Sequence, residues 1–419
     1  MTAREYLFSL EIVGIKLGLE QIHALLDALG HPERAFPSII VAGTNGKGSV
    51  TAMLERGLRA AGYHTGRYTS PHLTHIEERV AIDGVAITTE TFDALAEQVC
   101  AAAAALPSPP SFFEATTALA LLAFRQADVD VAVLEVGLGG RLDATNAVTP
   151  ELSVITAIDL DHQQYLGDTI EAIAAEKAGI LRKYVPAVLG QNGDAARGVI
   201  TRIATEIGAQ LTYAPDGITV ETDTVDGQTT LTMDGPDGRI GPVTLSMRGR
   251  HQVDNAVTAL RALEVLDATS LHVPVPARLT ALSDVSWPAR LESRMWRGHR
   301  VLIDGAHNPA GAAALTSYLH DTFGRPLPVV FGAMRDKDVT GLIQALAPAA
   351  SAFICTRMPS PRAADTATLA SAITSAIPGA TVDEAATPLA ALERAATLGE
   401  PIVVAGSLYL AGEIREVLS

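Results

Sequence analysis

The densest chemistry in the sequence lies at residues 38–50, SIIVAGTNGKGSV. An apolar strand runs into a glycine-rich turn and then directly into a helix. That order aims backbone N–H groups and a helix N-terminus at one point, where an anion can be held, and Lys47 adds a point charge. The chemistry this provides is nucleotide phosphate binding, with Thr44, Asn45, Gly46, Lys47, Gly48 and Ser49 as the contacts. The spacing departs from the common phosphate loop. Val41 stands where the first glycine would be, Gly48 holds the usual hydroxyl position, and the hydroxyl is postponed to Ser49. A dinucleotide fold would need G-x-G-x-x-G and has no use for the lysine.

A phosphate chain requires Mg²⁺, a hard cation that takes oxygen ligands. Glu135 closes the apolar run VDVAVLE, at the strand edge where α/β proteins bind ligands. Burying a carboxylate there is costly unless it is paired or metal-bound, so metal ligation and a capping or salt-bridged role both stay open. His162 lies beside Asp159 and Asp161; it is either a ligand or an ion-paired surface residue. Lys177, in IEAIAAEKAGI, sits on an amphipathic helix where a lysine is ordinarily solvated.

The elements that must position these groups are short β-branched runs alternating with alanine-rich helices. Strands are predicted at Ser38–Ala42, Val129–Val136, Leu152–Ala157, Arg300–Ile303, Pro328–Phe331 and Pro401–Ala405. Helices are predicted at Ser49–Ala61, Thr89–Ala105, Ile170–Ile180, Ala310–His320 and Thr387–Thr397. One helix between successive strands implies right-handed crossovers and a mostly parallel sheet. Residues 210–247 differ, with threonines, valines and Gly/Asp turns that predict short antiparallel strands. The alternation breaks near Ser283–Arg290 and restarts with RVLIDGAHNP. The expected fold is therefore α/β: a phosphate-loop ATPase domain with a mostly parallel sheet at 1–285, and a smaller Rossmann-like α/β domain at 286–419. A chain of 419 residues is long for one core, which agrees with two domains.

Composition narrows the partners. The formal net charge is −16, opposite to the basic footprint that nucleic-acid binding requires. No run approaches the roughly 20 apolar residues of a membrane span, and the first twenty residues lack the apolar stretch of a secretory signal. Two cysteines, Cys100 and Cys355, are too few for a disulfide framework and fit a reducing cytoplasm. The expected partners are small molecules, with no nucleic acid and no membrane, for a chain acting as a monomer.

Taken in order, GTNGKGS, YTSPHL (68–73), FFEATTAL (112–119), EVGLGGRLDATN (135–146), DHQQYLG (161–167), EKAGI (176–180), GRHQVDNA (249–256), WPARLE (287–292), DGAHNP (304–309), FGAMRDKD (331–338) and GSLYLAGEIR (406–415) resemble folylpolyglutamate synthases of the Mur ligase superfamily. The likeness covers nearly the whole chain, with residues 182–248 carrying no recognisable motif. It implies ATP-dependent ligation of L-glutamate to a folate-type carboxylate through an acyl phosphate, releasing ADP and phosphate.

The resemblance also implies roles. Glu135, Ser70 and His162 become magnesium ligands, with Asp159 and Asp161 as their support. Lys177 becomes a carbamylated lysine orienting a second Mg²⁺, and Lys47, Glu135, His162 and Lys177 form the catalytic set. Asn255 is placed near adenine with His251 and Gln252 beside it, although a helix-surface amide would read the same. Arg290 reaches the ATP phosphates; Ala289 stands before it where glycine is commoner. Asp304 is placed at the ribose, and His307 at the phosphates or the incoming amino acid. Ser407 is a glutamate contact or a helix N-cap. GIKLGLEQI (14–22) resembles the loop that builds a pterin pocket, with Lys16, Arg141 and Asp143 as substrate contacts. Many bacterial members of the family are bifunctional, so both dihydropteroate and reduced folates are expected substrates.

Overall fold

The computed structural model describes residues 2–10, 14, 17–236, 238–269 and 271–418. The chain divides into two compact units. One comprises Met1–Glu221, Leu231–Val243 and Asp254–Val285; the other Thr222–Thr230, Thr244–Val253 and Ser286–Ser419.

The first unit is built on an eight-stranded sheet. Its strands are β1 (Ser38–Ala42), β2 (Thr65–Tyr68), β3 (Val80–Ile82), β4 (Val85–Ala86), β5 (Val131–Glu135), β6 (Pro150–Ile155), β7 (Pro186–Leu189) and β8 (Gln210–Tyr213), in the order β4-β3-β2-β5-β1-β6-β7-β8. The pairs from β2 through β8 are parallel, whereas β3 and β4 add an antiparallel edge. β1 and β5 are buried at every residue, as a sheet covered on both faces demands. Ala132 and Leu134 of β5 pack into the cluster under the helices Ala3–Ser9, Glu20–Ala28, Thr89–Ala103 and Phe112–Gln126. Ile40 and Ala42 of β1 join the opposite cluster with Ile173, Ala174 and Ala178. β1 is flanked by β5 on one side and β6 on the other, so three strand ends converge where the connections change direction. Ligands bind in the crevice at such a point.

Three further strands, β9 (Thr219–Val225), β10 (Gln228–Gly235) and β11 (Gly238–Thr244), form their own sheet in the order β11-β10-β9. They account for the change of pattern in residues 210–247. The second unit has a six-stranded sheet of β12 (Glu292–Trp296), β13 (His299–Ile303), β14 (Leu327–Phe331), β15 (Ala350–Thr356), β16 (Val382–Ala385) and β17 (Ile402–Ala405), ordered β12-β13-β17-β14-β15-β16. Only the β12–β13 pair is antiparallel. Leu302, Val329, Phe331, Phe353 and Val403 fill its core. Both expected α/β architectures are present. Among the described residues no helix is long and apolar enough to cross a membrane.

Candidate functional site

The phosphate loop begins where β1 ends. Gly43 has φ 151°, and a Cβ there would lie 1.8 Å from Thr156 Oγ1. Gly46, at φ 88°, is the N-cap of helix Lys47–Ala60 and provides no capping side chain. The turn is tied down from β6: the Thr44 and Asn45 amides donate to the Ala157 carbonyl at 2.8 and 3.2 Å, and Thr156 Oγ1 donates to the Asn45 carbonyl at 2.8 Å. Thr44 Oγ1 donates to the Asp159 carbonyl and accepts from the Asp159 amide, while Asn45 Nδ2 donates to Asp159 Oδ2. Burial raises the Asp159 carboxyl and the Asn45 contact opposes that rise. Gly48 and Ser49 are buried in the first helical turn.

Lys47 folds back over the loop, its Nζ donating to the Gly43 and Thr44 carbonyls, each at 3.1 Å. Lys177 approaches the same turn from helix Ile170–Ala178, its Nζ donating to the Gly43 carbonyl at 2.8 Å. It is 4% exposed, a buried lysine and not the solvated one that such a helix ordinarily carries. Burial, reinforced by the nearby Lys47 charge, brings its ammonium down to about 7 against the pull of Asp161 and Asp143.

Glu135 ends β5 opposite Val41 of β1 and is 6% exposed. Its Oε2 accepts the Ser70 amide at 3.2 Å, which joins the TSPHL turn to the strand end. His162 adopts a left-handed backbone with φ 53° as the N-cap of the short helix Gln163–Leu166. Its amide donates to Asp161 Oδ1 at 2.8 Å, and its Nε2 lies 3.9 Å from the same oxygen. Among the described residues no group of three or more His, Cys, Asp or Glu side chains is arranged to hold a metal. The candidate ligands include only two residues of those types, Glu135 and His162, beside a serine and a lysine. A buried carboxylate, Glu135, and the half-buried Ser70 hydroxyl give oxygen donors that fit a hard cation such as Mg²⁺.

Asn255 belongs to helix Arg250–Asp267, and a Cβ added to Gly46 would lie 2.3 Å from its Oδ1. The structure thus brings Asn255 against the phosphate turn. Arg141 and Asp143 occupy the loop after β5. Arg141 pairs with Glu176 at 2.8 Å and is more than half exposed. Asp143 is buried, and accepts from the Leu138 and Thr145 amides and from Thr145 Oγ1. Burial raises its carboxyl to about 6 despite those donors. Its donors all come from its own loop, so Asp143 braces the turn. That loop is fitted to EKAGI: a Cβ on Gly179 would lie 2.3 Å from Arg141 Cβ, and Asn146 Nδ2 donates to the Arg141 and Gly179 carbonyls. Lys16 lies outside the described residues.

In the second unit, Asp304 follows β13, its Oδ2 accepting the Leu291 amide and its Oδ1 the Ala306 amide, each at 2.9 Å. His307 Nδ1 is 2.8 Å from the Gly305 carbonyl. Arg290 is half-buried, with Nη1 donating to the Ala289 carbonyl at 2.9 Å. The residues flanking it, Ala289 and Leu291, both have left-handed backbones, at φ 55° and 48°. That explains why glycine suits position 289. His251 is lowered by burial, with Asp304 and Arg290 acting on it in opposite senses. Ser407 caps helix Leu408–Val417, accepting the Tyr409 amide at 3.1 Å, as its second reading from the sequence expected. Thr156, which anchors the phosphate turn, is not signalled by spacing; Glu292 stands two residues from Arg290 in WPARLE, but its bond to the Ala289 amide is visible only in the fold.

Comparison with known proteins follows the same lines. The Mur ligase middle domain model matches residues 41–263, and that of the Mur ligase glutamate ligase domain matches 289–408. A Mycobacterium tuberculosis dihydrofolate synthase/folylpolyglutamate synthase is 39% identical over 374 residues, covering 84% of this chain and 76% of that protein. The chain spans about half the length (50%) of the Haloferax volcanii relative it matches, a probable bifunctional folylpolyglutamate synthase/dihydropteroate synthase 36% identical to it. Among solved structures, the M. tuberculosis folylpolyglutamate synthase complexed with ADP and AMPPCP superposes with TM-score 0.90 at 36% identity, over 96% of this chain and 95% of that one. A bifunctional folylpolyglutamate synthase/dihydrofolate synthase with Mn, AMPPNP and L-glutamate bound gives 0.86 at 29% identity, over 100% and 98%. A matched middle-domain model over more than half the chain, together with relatives of this identity and coverage, places the protein in the Mur ligase family, among the folylpolyglutamate synthases/dihydrofolate synthases, and so among ATP-dependent amino-acid ligases.

Proposed function

We propose that the chain ligates L-glutamate to dihydropteroate and to reduced, glutamylated folates, using ATP and Mg²⁺. The observation that carries this reading is the convergence of Lys47 and Lys177 on the Gly43 carbonyl, with the buried Glu135 at the neighbouring strand end. The reaction has two steps. A substrate carboxylate oxygen attacks the γ-phosphorus of ATP, forming a C–O–P bond as the bond to ADP breaks. The glutamate amine then attacks the acyl carbon, loses its proton, and phosphate leaves.

Carboxylate and triphosphate repel each other, so catalysis here is largely charge neutralisation and alignment. Thr44, Asn45, Gly46, Gly48 and Ser49 hold the phosphates through the turn and the helix N-terminus, and Lys47 places its charge over them. Asn255 lies beside that turn and orients the nucleoside; we assign Arg290 to the ATP phosphates, Asp304 to the ribose, and His307 to the phosphates or the incoming amino acid. Glu135, Ser70, His162 and a carbamylated Lys177 would hold Mg²⁺ at two sites, where it would offset phosphate charge. Carbamylation needs a neutral amine, which the depressed Lys177 value supplies. Arg141 and Asp143 are assigned to the folate end and Ser407 to the glutamate.

We assign residues 1–285 to ATP binding and 286–419 to glutamate addition, supported by the two matched Mur ligase models. The enzyme acts as a cytoplasmic monomer on small molecules, in keeping with its free cysteines and acidic surface. Purified protein with ATP, Mg²⁺ and glutamate should convert dihydropteroate to dihydrofolate and also extend tetrahydrofolate by one glutamate. Extension of tetrahydrofolate alone would leave a single-function folylpolyglutamate synthase; turnover of neither would overturn the reading.

A further inference from the structure

The turn that presents Arg290 is held through both backbone polar groups of one residue, Ala289. The Ala289 carbonyl accepts two donors at 2.9 Å, the Gly305 amide and Arg290 Nη1. The guanidinium rests on Gly305, where a Cβ would come within 2.5 Å of Nη1. The amide of Ala289 donates to Glu292 Oε2, also at 2.9 Å. This residue sits at φ 55°, and Leu291 at 48°, so two non-glycine residues are kept left-handed around a single arginine. Such conformations persist only where their surroundings over-determine them. Leu291 is secured by Asp304. Ala289 is secured by Glu292.

Glu292 is equipped for that task. Its side chain is 18% exposed, with Oε1 accepting Arg294 Nε at 2.6 Å and Oε2 lying 3.1 Å from Arg415 Nε. Burial alone would raise this carboxyl, but the Ala289 amide and the two arginines hold it below the usual carboxylate range. Arg415 belongs to the last turn of helix Leu408–Val417, so the network connects the Arg290 turn to the C-terminal helix.

We infer that Glu292, anchored by Arg294 and Arg415, is a positioning residue for Arg290: it fixes the left-handed Ala289 peptide whose carbonyl holds the guanidinium. This rests on the reading that Arg290 contacts the ATP phosphates. A carboxylate that served only to stabilise the β12–β13 hairpin would change thermal stability and leave nucleotide kinetics alone.

The test compares Arg290→Ala, Glu292→Ala, Glu292→Gln and the double variant Glu292→Ala/Ala289→Gly in full-length enzyme, measuring kcat and KM for ATP and for glutamate together with Tm. Glu292→Ala should lower kcat/KM for ATP about tenfold, the scale of a lost hydrogen bond to a charged group, with KM for glutamate unchanged. Glu292→Gln, which keeps one acceptor for the Ala289 amide, should lose less. Ala289→Gly removes the cost of the left-handed backbone, so the double variant should recover about threefold. Should Glu292→Ala fail to fold, Glu292→Gln with and without Ala289→Gly makes the same comparison. The inference is overturned if Arg290→Ala weakens ATP use while the Glu292 variants do not, or if glycine at 289 recovers nothing. If Arg290→Ala itself leaves ATP kinetics unchanged, the phosphate role of Arg290 fails and the inference falls with it.

Discussion

Lys47 and Lys177 converge on one acceptor: both ammonium groups donate to the Gly43 carbonyl, at 3.1 and 2.8 Å. Burial brings the Lys177 ammonium down to about 7, and the like charge of Lys47 at the same carbonyl adds to that fall. A carbamate on Lys177 would exchange that repulsion for attraction to Lys47. Activity should therefore fall in buffer stripped of CO₂ and return with bicarbonate, and labelled bicarbonate should give a protein-bound carbamate resonance. Full activity without CO₂ and no such resonance would refute the modification.

Lys47→Ala and Glu135→Ala should each leave less than about a tenth of ligase activity while circular dichroism stays native, because they remove charge at the reacting phosphates and not packing. Glu135 is the sharper case, since its buried carboxylate has no apolar role at the end of β5. A folded Glu135→Ala enzyme with near-normal turnover would remove Glu135 from the site.

Gly43→Ala tests the backbone of the turn. The added methyl would meet Thr156 Oγ1 at 1.8 Å, and that hydroxyl also holds the Asn45 carbonyl. One of the two must move, at a cost of about 1–3 kcal/mol in local strain. Nucleotide affinity should fall by at least about tenfold, measured by calorimetry; unchanged affinity would mean that the turn is not held as described.

His64 gives a pH test remote from the chemistry. Its Nδ1 is 2.7 Å from Asp83 Oδ2 and its Nε2 2.9 Å from the Ala127 carbonyl. Both partners are acceptors, so both ring nitrogens must carry protons. The Asp83 hydrogen bond raises the imidazolium above its ordinary value, burial opposing. This contribution to stability is complete below the unfolded value near pH 6.5 and is lost as pH rises through the higher folded value. The urea midpoint should fall on that side of neutrality, and His64→Gln should flatten the fall. An identical slope in the variant would contradict the assignment.

Much of the first unit was legible in the sequence because its strands are continuous apolar runs and its key turn is rich in glycine. β1 was predicted residue for residue, and the helix after it to within two. β2, TGRY, escaped notice because it is four residues long with an arginine inside, and β16 because its VDEA is half polar. Side-chain partners were harder to read. The local sequence of Lys177 is that of an ordinary solvated lysine, and its burial against the Gly43 carbonyl is visible only in the fold. The left-handed backbone at Ala289 is hidden by the alanine itself, which ordinarily avoids that conformation; the resemblance points to it only through the glycine that is commoner there. Glu292 and Asp304 impose it from either side of the turn.

The central claim is that ATP activates a folate-type carboxylate as an acyl phosphate before glutamate adds. The most direct measurement uses a substrate whose reactive carboxylate carries a heavy oxygen isotope at both oxygens, with mass analysis of the phosphate released during ligation. Each phosphate formed should carry one labelled oxygen, with one ADP and one new amide per turnover and no phosphorylated final product. Unlabelled phosphate, or ATP consumed without amide formation, would contradict it.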